Sequence, residues 1–360
     1  MKFIIAGGGT GGHLFPAVAL GEEIKREHPD SDVLFVGTSS GMEARWLPKS
    51  GYRFELFDVH GIRGHGAMGR VRAAIEFVRA IGLARALVAR ERPDLIVGAG
   101  GYASAPVGVA AILARIPLVL MEQNTIPGLS NKILWRFAKK ICVGFRETAA
   151  YFSIGKVEVT GNPVRFEYRS GPRTMDDKTQ ILVLGGSTGA HRLNLGVVNA
   201  FKICAKSVIN LHVVHQTGEA DEVLVRQGYS DLPVRAEVVA FIDDIPAALE
   251  RADLVIARAG AMTVTDIALS ARPAIFVPYP FHKDMQQLHN ARVIERLGGA
   301  TIVLDDAKLA DNLAREIGTM LQDRSHLVEI GQKAHQGVYP DASRRVARVC
   351  FDLVGMEQAA

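Results

Sequence analysis

Three polar side chains, Asp266, Gln286 and Gln287, fall within one stretch, Ala252 to Ala291, whose pattern gathers them at a single edge. Leu254-Val255-Ile256 and Ala274-Ile275-Phe276-Val277 are short apolar runs, each followed by a Gly- or Pro-marked turn and then a helical pattern. Two strand-to-helix turns in succession point all three residues to the edge where open α/β sheets hold ligands. A carboxylate there accepts from ribose hydroxyls, free helix N–H groups take phosphate, and amides read sugar hydroxyls. Asp266 also has a plainer reading. Thr263-Val264-Thr265-Asp266 is close to a capping box, in which the carboxylate only closes the start of a helix opened by Thr263.

A second constellation sits near the start. The strand Lys2–Ala6 runs into Gly7-Gly8-Gly9-Thr10-Gly11-Gly12-His13, and a helix is expected from about His13 to His28. The turn contains the spacing of a dinucleotide fingerprint, but the next strand ends in Gly37-Thr38-Ser39 with no carboxylate for a ribose, which disfavours a nicotinamide dehydrogenase. His13 and Leu14 stand where a P-loop needs Lys and Ser or Thr. What remains is a glycine cradle for an anion or a sugar, with a histidine at its lip that either does chemistry or packs. The device returns at Gly98–Tyr102 and at Gly185–Ala190, each time between a strand and a helix. Successive N–H groups in such turns make an anion nest. Glu122-Gln123-Asn124 place three polar groups at the end of another strand, Leu118–Met121.

These turns need sheets to carry them. At 360 residues the chain exceeds one ordinary core, so two domains are expected. About seven strands alternate with helices in the first half, and the alternation restarts at Gln180 after the irregular stretch near 160–178. The reading is α/β: two Rossmann-like, doubly wound parallel-sheet domains whose glycine turns face a cleft. The expected division is 1–162, then 163–340, then a terminal segment 341–360 whose helix can fold back on the N-terminal domain. A hydrophobic fraction of 48% with 22% charged residues excludes a disordered chain. Cys142, Cys204 and Cys350 are too few and scattered for a disulfide framework or a zinc site, and they suit a reducing compartment. Neither a signal peptide nor an apolar run of membrane-spanning length is evident, so a cytoplasmic protein is expected. A net charge of +4 does not by itself point to nucleic acid, and none is expected as a partner.

The ordered motifs GGGTGGH, GAGGYAS, MEQNTIPGLSN, GNPVR, GGSTGAHRLN, FIDDI, ARAGAMTVTD and HKDMQQ cover nearly the whole chain. Together they resemble the MurG family, the GT-B glycosyltransferases of peptidoglycan synthesis. The resemblance implies transfer of N-acetylglucosamine from UDP-GlcNAc to the undecaprenyl-linked acceptor lipid I, with a UDP-GlcNAc epimerase or a glycolipid glycosyltransferase as the alternative. It implies that Thr10, Gly11 and Gly12 line the donor sugar beside His13, that Asn124 reaches the GlcNAc, and that Arg165 reaches the nucleotide side. It further implies that Ser187 contacts the pyrophosphate and that Ile242 pairs with uracil through its backbone. Ala261, Met262, Thr263, Val264, Thr265 and Asp266 would run along ribose and phosphates, and Gln286 and Gln287 would read the sugar. This chain departs from the family at Met121, Thr188 and Asp266, where His, Gln and Glu are common; Asp for Glu shortens the reach by about 1.5 Å. Displacing UDP needs a general base for the acceptor hydroxyl, and the candidates are His13 and Glu122. No Asp-x-Asp metal site is present and no cofactor is expected, so backbone N–H groups and helix dipoles must meet the leaving charge.

From Gly61 to Arg92 there are seven arginines against two glutamates. Val71, Ile75, Val78 and Ile81 form one apolar stripe on the helix expected from about Met68, and Arg72, Arg79 and Arg90 form a second beside it. Either the stripe packs on the sheet, or it lies on anionic lipid with the guanidiniums among headgroups. The family resemblance favours lipid, on the cytoplasmic face of the cell membrane, with Lys139-Lys140 extending the patch.

Overall fold

The computed structural model describes residues 1–58, 67–170, 179–186, 189–204 and 211–356, and for 67–73 and 324 the backbone alone. The chain divides into two compact units, Met1–Arg165 with Asp341–Ala360, and Phe166–Pro340.

In the first unit the order is β1 (Lys2–Ala6), α1 (Gly11–Glu27), β2 (Asp32–Thr38), α2 (Glu43–Trp46), β3 (Arg53–Phe57) and α3 (Ala67–Glu91). Then come β4 (Leu95–Gly98), α4 (Gly101–Ala114), β5 (Leu118–Glu122), α5 (Leu129–Leu134), β6 (Lys140–Val143) and β7 (Val157–Val159). All seven strands are parallel in the order β3-β2-β1-β4-β5-β6-β7. A parallel sheet is covered on both faces, which is why β1 reads as an unbroken apolar run. Its side chains alternate between two cores. Ile4 and Ala6 pack in the layer that holds Ala80, Ala84 and Leu87 of α3, Ala110 of α4 and Leu134 of α5. Phe3 and Ile5 pack in the other layer with Leu14 and Val18 of α1.

The second unit repeats the plan with β8 (Thr179–Leu184), α6 (His191–Cys204), β9 (Leu211–Gln216), α7 (Glu222–Tyr229), β10 (Arg235–Val239) and α8 (Ile245–Arg251). It continues with β11 (Leu254–Ala257), α9 (Ala261–Leu269), β12 (Ala274–Phe276), α10 (Gln286–Glu295), β13 (Ala300–Ile302), α11 (Leu309–Leu321) and α12 (Arg324–His335). Six parallel strands follow the order β10-β9-β8-β11-β12-β13. The last helix, α13 (Ala342–Val354), belongs to the first unit. It buries Val346, Ala347, Cys350 and Phe351 against α1 and β1, with the Phe351 ring edge-on to Phe3 at 6.3 Å. Pro163, Val164 and Arg165 also stay with that unit, because Ser343 Oγ donates to the Val164 carbonyl and Arg165 reaches Glu22. In both sheets the first strand is flanked by the second on one side and the fourth on the other. Those pairs, β1/β4 and β8/β11, are the switch points at which doubly wound sheets bind ligands.

Candidate active site

At the switch point of the first unit the turns after β1 and β4 touch backbone to backbone. Gly100 and Gly101 sit at φ 93° and 78°, and a Cβ on Gly101 would lie 1.9 Å from the Gly8 carbonyl oxygen. Only glycine fits. The His13 ring lies on Gly100, where a Cβ would come within 2.6 Å of its Cδ2. The helix begins at Gly11, two residues before the expected start, so His13 stands in its first turn. Its Nδ1 is 3.3 Å from the Thr10 hydroxyl, which leaves Nε2 as the free ring nitrogen. Burial pushes the imidazole below its ordinary pKa, and the negative charge of Glu43 opposes that more weakly. His13 is therefore neutral at neutral pH and able to take a proton.

Glu43 is the residue that sequence reasoning missed. It is wholly buried, and its carboxylate accepts from Gly9 N at 2.9 Å, Thr38 N at 2.7 Å and Thr38 Oγ1 at 2.6 Å. A Cβ on Gly8, Gly37 or Gly41 would strike this side chain, so three glycines, one of them inside β2, make room for one carboxylate. The strand β2 ends without an acid, and α2 supplies one from below. It serves the protein's own N–H groups and is not presented to a ribose. Those three glycines are the signal that could have revealed it.

Glu122 is 3% exposed and clamps the loop that follows it. Its oxygens accept from Asn124 N at 3.0 Å, Gly128 N at 2.8 Å and Asn131 Nδ2 at 2.9 Å. Burial raises its pKa, and these hydrogen bonds pull the other way. With both oxygens occupied, Glu122 holds Asn124 in place, and the Asn124 carbonyl is pinned by Thr148 Oγ1 at 2.9 Å.

In the second unit, α9 starts at Ala261 with Gly260 as its N-cap, and no side chain caps it. The expected opening at Thr263 and the capping role of Asp266 are therefore corrected: Asp266 lies in the second turn, past the reach of the helix end. Ala261, Met262 and Thr263 carry the first-turn N–H groups, while the first intrahelical bond goes from Val264 N to Gly260 O. Thr265 is turned inward, its hydroxyl donating to Ala261 O at 2.9 Å. Asp266 accepts from the Tyr168 hydroxyl, and burial pushes its pKa up to about 7. Gln287 Oε1 accepts from Ala259 N at 3.2 Å and Tyr279 N at 2.9 Å, tying together the turns after β11 and β12. That fixes its amide so that Nε2 remains to donate. Asn290, fully buried, donates to the Ala259 carbonyl at 3.2 Å, so α10 holds both polar groups of this residue at the mouth of α9. Gln286 is the first residue of α10, after Met285 in a left-handed conformation at φ 49°. Ile242 is half-buried on the loop after β10. Ser187 lies outside the described residues.

Residues 3–143 match the glycosyltransferase family 28 N-terminal domain, and residues 180–346 match the glycosyltransferase family 28 C-terminal domain. The chain belongs to glycosyltransferase family 28. It is 39% identical, over 98% of its length and 93% of the relative's, to the UDP-N-acetylglucosamine–N-acetylmuramyl-(pentapeptide) pyrophosphoryl-undecaprenol N-acetylglucosamine transferase of Myxococcus xanthus. The Geotalea uraniireducens transferase of the same name is 38% identical over 100% of this chain and 99% of its own. Among solved structures, Acinetobacter baumannii MurG matches with a TM-score of 0.79 and 30% identity, covering 97% of this chain and 98% of that one. These relatives put the family 28 chain in the MurG branch, with the GT-B architecture. A Neisseria meningitidis UDP-GlcNAc 2-epimerase shares the fold at a TM-score of 0.68 and 11% identity, over 98% of this chain and all of that one.

Other expected positions are placed differently. Arg165 does not extend freely: its Nε pairs with Glu22 Oε1 at 3.1 Å and its guanidinium lies 4.9 Å over the Trp46 ring, within the first unit. The stripe of α3 that packs on the sheet is Ala80, Ala84, Leu87 and Val88. Ile75 and Val78 are 49% and 66% exposed, Arg79 is exposed and Ile81 is half-buried, while the side chains of Val71 and Arg72 lie outside the described residues. Arg90 is withdrawn from the second stripe, bound to Glu55 at 2.6 Å and Glu91 at 3.0 Å. Lys140 likewise pairs with Glu158 at 2.6 Å. The layer carries apolar side chains that the sequence reading overlooked: Leu129, Ile133 and Phe137, spaced at helical intervals through α5 and just beyond, are all more than half exposed, beside exposed Lys132 and Arg136. Among the described residues no helix is long and apolar enough to cross a membrane.

Proposed function

We propose that this chain is an inverting glycosyltransferase that moves N-acetylglucosamine from UDP-GlcNAc to the MurNAc hydroxyl of undecaprenyl-pyrophosphoryl-MurNAc-pentapeptide, converting lipid I to lipid II in peptidoglycan synthesis. The observation that carries the reading is 39% identity over 98% of the chain to a transferase of that name. The second unit is the donor domain. First-turn N–H groups of α9 at Ala261, Met262 and Thr263 suit phosphate, Val264 and Thr265 shape the turn behind them, and Asp266 exchanges its Tyr168 partner for ribose hydroxyls. Ile242 offers its backbone to uracil, Ser187 the pyrophosphate contact, and Gln286 with the fixed Nε2 of Gln287 the sugar contacts.

The first unit takes the acceptor. His13, held by Gly100 and Thr10 and kept neutral by burial, removes the proton from the MurNAc hydroxyl as the bond between sugar and phosphate breaks. Glu122 positions Asn124, which meets the sugar, and Gly11 and Gly12 keep the approach to His13 free of side chains. Arg165 serves the nucleotide only by leaving Glu22.

The undecaprenyl tail stays in the bilayer, so we place the protein at the cytoplasmic face of the membrane as a peripheral protein. The helical layer α3–α4–α5 of the first unit supports this. Ile75, Val78, Leu113, Ile133 and Phe137 are exposed there, interspersed with Arg79, Arg85, Lys132 and Arg136. Apolar tips between cations suit anionic headgroups. Roles in cell shape and division then follow from the supply of lipid II. The deciding experiment is UDP release from UDP-GlcNAc with and without lipid I. Release that requires lipid I, with lipid II formed in equal amount, is expected; UDP released without any acceptor would favour the epimerase reading.

A further inference from the structure

The heptapeptide at the first switch point, Gly7-Gly8-Gly9-Thr10-Gly11-Gly12-His13, has a counterpart at the second, Gly185-Gly186-Ser187-Thr188-Gly189-Ala190-His191. Both follow the pattern G-G-x-T-G-x-H, and both link the first strand of a sheet to its first helix. The second histidine opens α6, directly after β8, the strand that pairs with β11 at the switch point. Its Nδ1 donates to Asp221 Oδ1 at 2.8 Å, and its side chain is otherwise 61% exposed.

An exposed ion pair alone means little. This one ends a directional chain of buried hydrogen bonds. Tyr229 OH donates to His215 Nδ1 at 3.0 Å, and His215 Nε2 donates to Asn194 Oδ1 at 3.2 Å. Asn194 Nδ2 donates to Asp221 Oδ2 at 2.8 Å and to the Thr217 carbonyl at 2.9 Å. Tyr229, His215 and Asn194 are at most 4% exposed, and burial lowers the His215 pKa to about 3, so that ring is neutral and each donor has one direction. Asp221 occupies the N-cap position of α7, yet its side chain caps nothing. The carboxylate gives up the ordinary work of an N-cap aspartate and is turned to Asn194 and His191 instead. The result is an exposed imidazole engaged by Asp221 at Nδ1, which leaves Nε2 for a ligand. The arginines nearby are already committed: Arg192 and Arg258 bind the two oxygens of buried Asp305 at 2.7 and 2.8 Å.

We propose that His191 is a second catalytic histidine, whose Nε2–H meets the diphosphate of the donor as UDP leaves, with Asp221 as its positioning residue. The inference rests on the transferase reading and deepens it. In the step, the bond from the anomeric carbon to the phosphate oxygen breaks with its electron pair going to that oxygen. The acceptor oxygen forms the new bond and its proton passes to His13. His191 donates a hydrogen bond to the diphosphate oxygens as their charge grows, while Asp221 holds the other ring nitrogen.

The test is the affinity for UDP against that for uridine, by calorimetry and by saturation-transfer NMR, in the wild type, His191→Gln, His191→Arg and Asp221→Asn. Loss of a charge-assisted contact to phosphate should weaken UDP roughly 10- to 100-fold in His191→Gln while leaving uridine unchanged. His191→Arg, which again presents N–H donors to phosphate, should recover most of that loss, and Asp221→Asn should show a smaller loss with the same preference for UDP. Equal weakening of UDP and uridine, or wild-type UDP affinity in His191→Gln, overturns the inference while leaving GlcNAc transfer by the wild type to stand. A wild type that binds no UDP overturns the transferase reading as well.

Discussion

The two units carry the same G-G-x-T-G-x-H pattern at the same topological point and surround its histidine in opposite ways. In the first unit the turn rests on a buried carboxylate, Glu43, that binds backbone N–H groups, while burial lowers the basicity of His13. In the second unit the carboxylate, Asp221, binds the imidazole of His191 itself. A half-buried ring kept neutral is free to take a proton; an exposed ring held by a carboxylate at one nitrogen keeps the other for a ligand. Almost identical heptapeptides thus acquire different surroundings from residues 30 positions beyond their histidines, Glu43 and Asp221.

The sharpest way to break this comparison is to remove the proposed base. His13→Ala should lower kcat by about 10²- to 10⁴-fold with UDP affinity unchanged. Near-normal kcat in that variant, with turnover abolished in Glu122→Gln, would move the base to Glu122 despite its occupied oxygens. The acid limb of kcat should lie below the ordinary histidine range, because burial lowers the pKa of His13 and activity is lost only when the ring becomes protonated.

The donor side should respond in affinity before rate. Asp266→Asn should weaken UDP by roughly 1–3 kcal/mol, about 5- to 150-fold. Wild-type UDP affinity should rise with pH through about 7, since the ionised carboxylate is the form that accepts ribose hydroxyls, and this rise should vanish in the variant. The unliganded protein should show the opposite trend in stability. A carboxyl raised from 3.8 to about 7 on folding contributes most when protonated, below its unfolded pKa, and that contribution is lost as the pH rises to about 7. Calorimetric UDP titrations and thermal melts between pH 5 and 8.5 would show both trends, and a flat UDP profile in the wild type would remove Asp266 from the ribose.

A smaller effect separates the units by surface. The double substitution Val78→Glu with Phe137→Glu should reduce co-sedimentation with phosphatidylglycerol vesicles by about tenfold or more while leaving UDP affinity intact. Wild type that sediments equally with neutral vesicles, or a folded double variant that still binds anionic ones, would exclude this layer as the lipid contact. The smallest effect expected is none: turnover should persist in EDTA, and complete loss restored by Mg²⁺ or Mn²⁺ would show that N–H groups and side chains alone do not meet the leaving charge.

Local pattern was enough for the doubly wound architecture. The strand expected at Lys2–Ala6 is β1 to the residue, and the alternation expected to restart at Gln180 is that of β8 to β13, because continuous apolar runs between glycine turns suit strands buried on both faces of a parallel sheet. The glycine turns were legible for the same reason, since a left-handed φ or a backbone contact such as Gly101 on Gly8 demands a residue without a side chain. Boundaries and partners were not legible. The helix at Ala261 begins two residues before the expected Thr263 because Gly260 serves as the cap, and a capping box cannot be told from its look-alike without the dihedral angles. Glu122 looked like a free carboxylate until the loop through Asn131 closed over it. Helical spacing on α3 was correct, but which stripe faces the sheet was decided by the neighbouring α4, leaving Ile75 and Val78 outside. Sequence determines what each residue can do with its near neighbours; which carboxylate meets which N–H, guanidinium or imidazole depends on contacts 30 to 143 residues away, such as Glu43 with Gly9, Asp221 with His191, and Arg165 with Glu22, and those exist only once the sheets have formed.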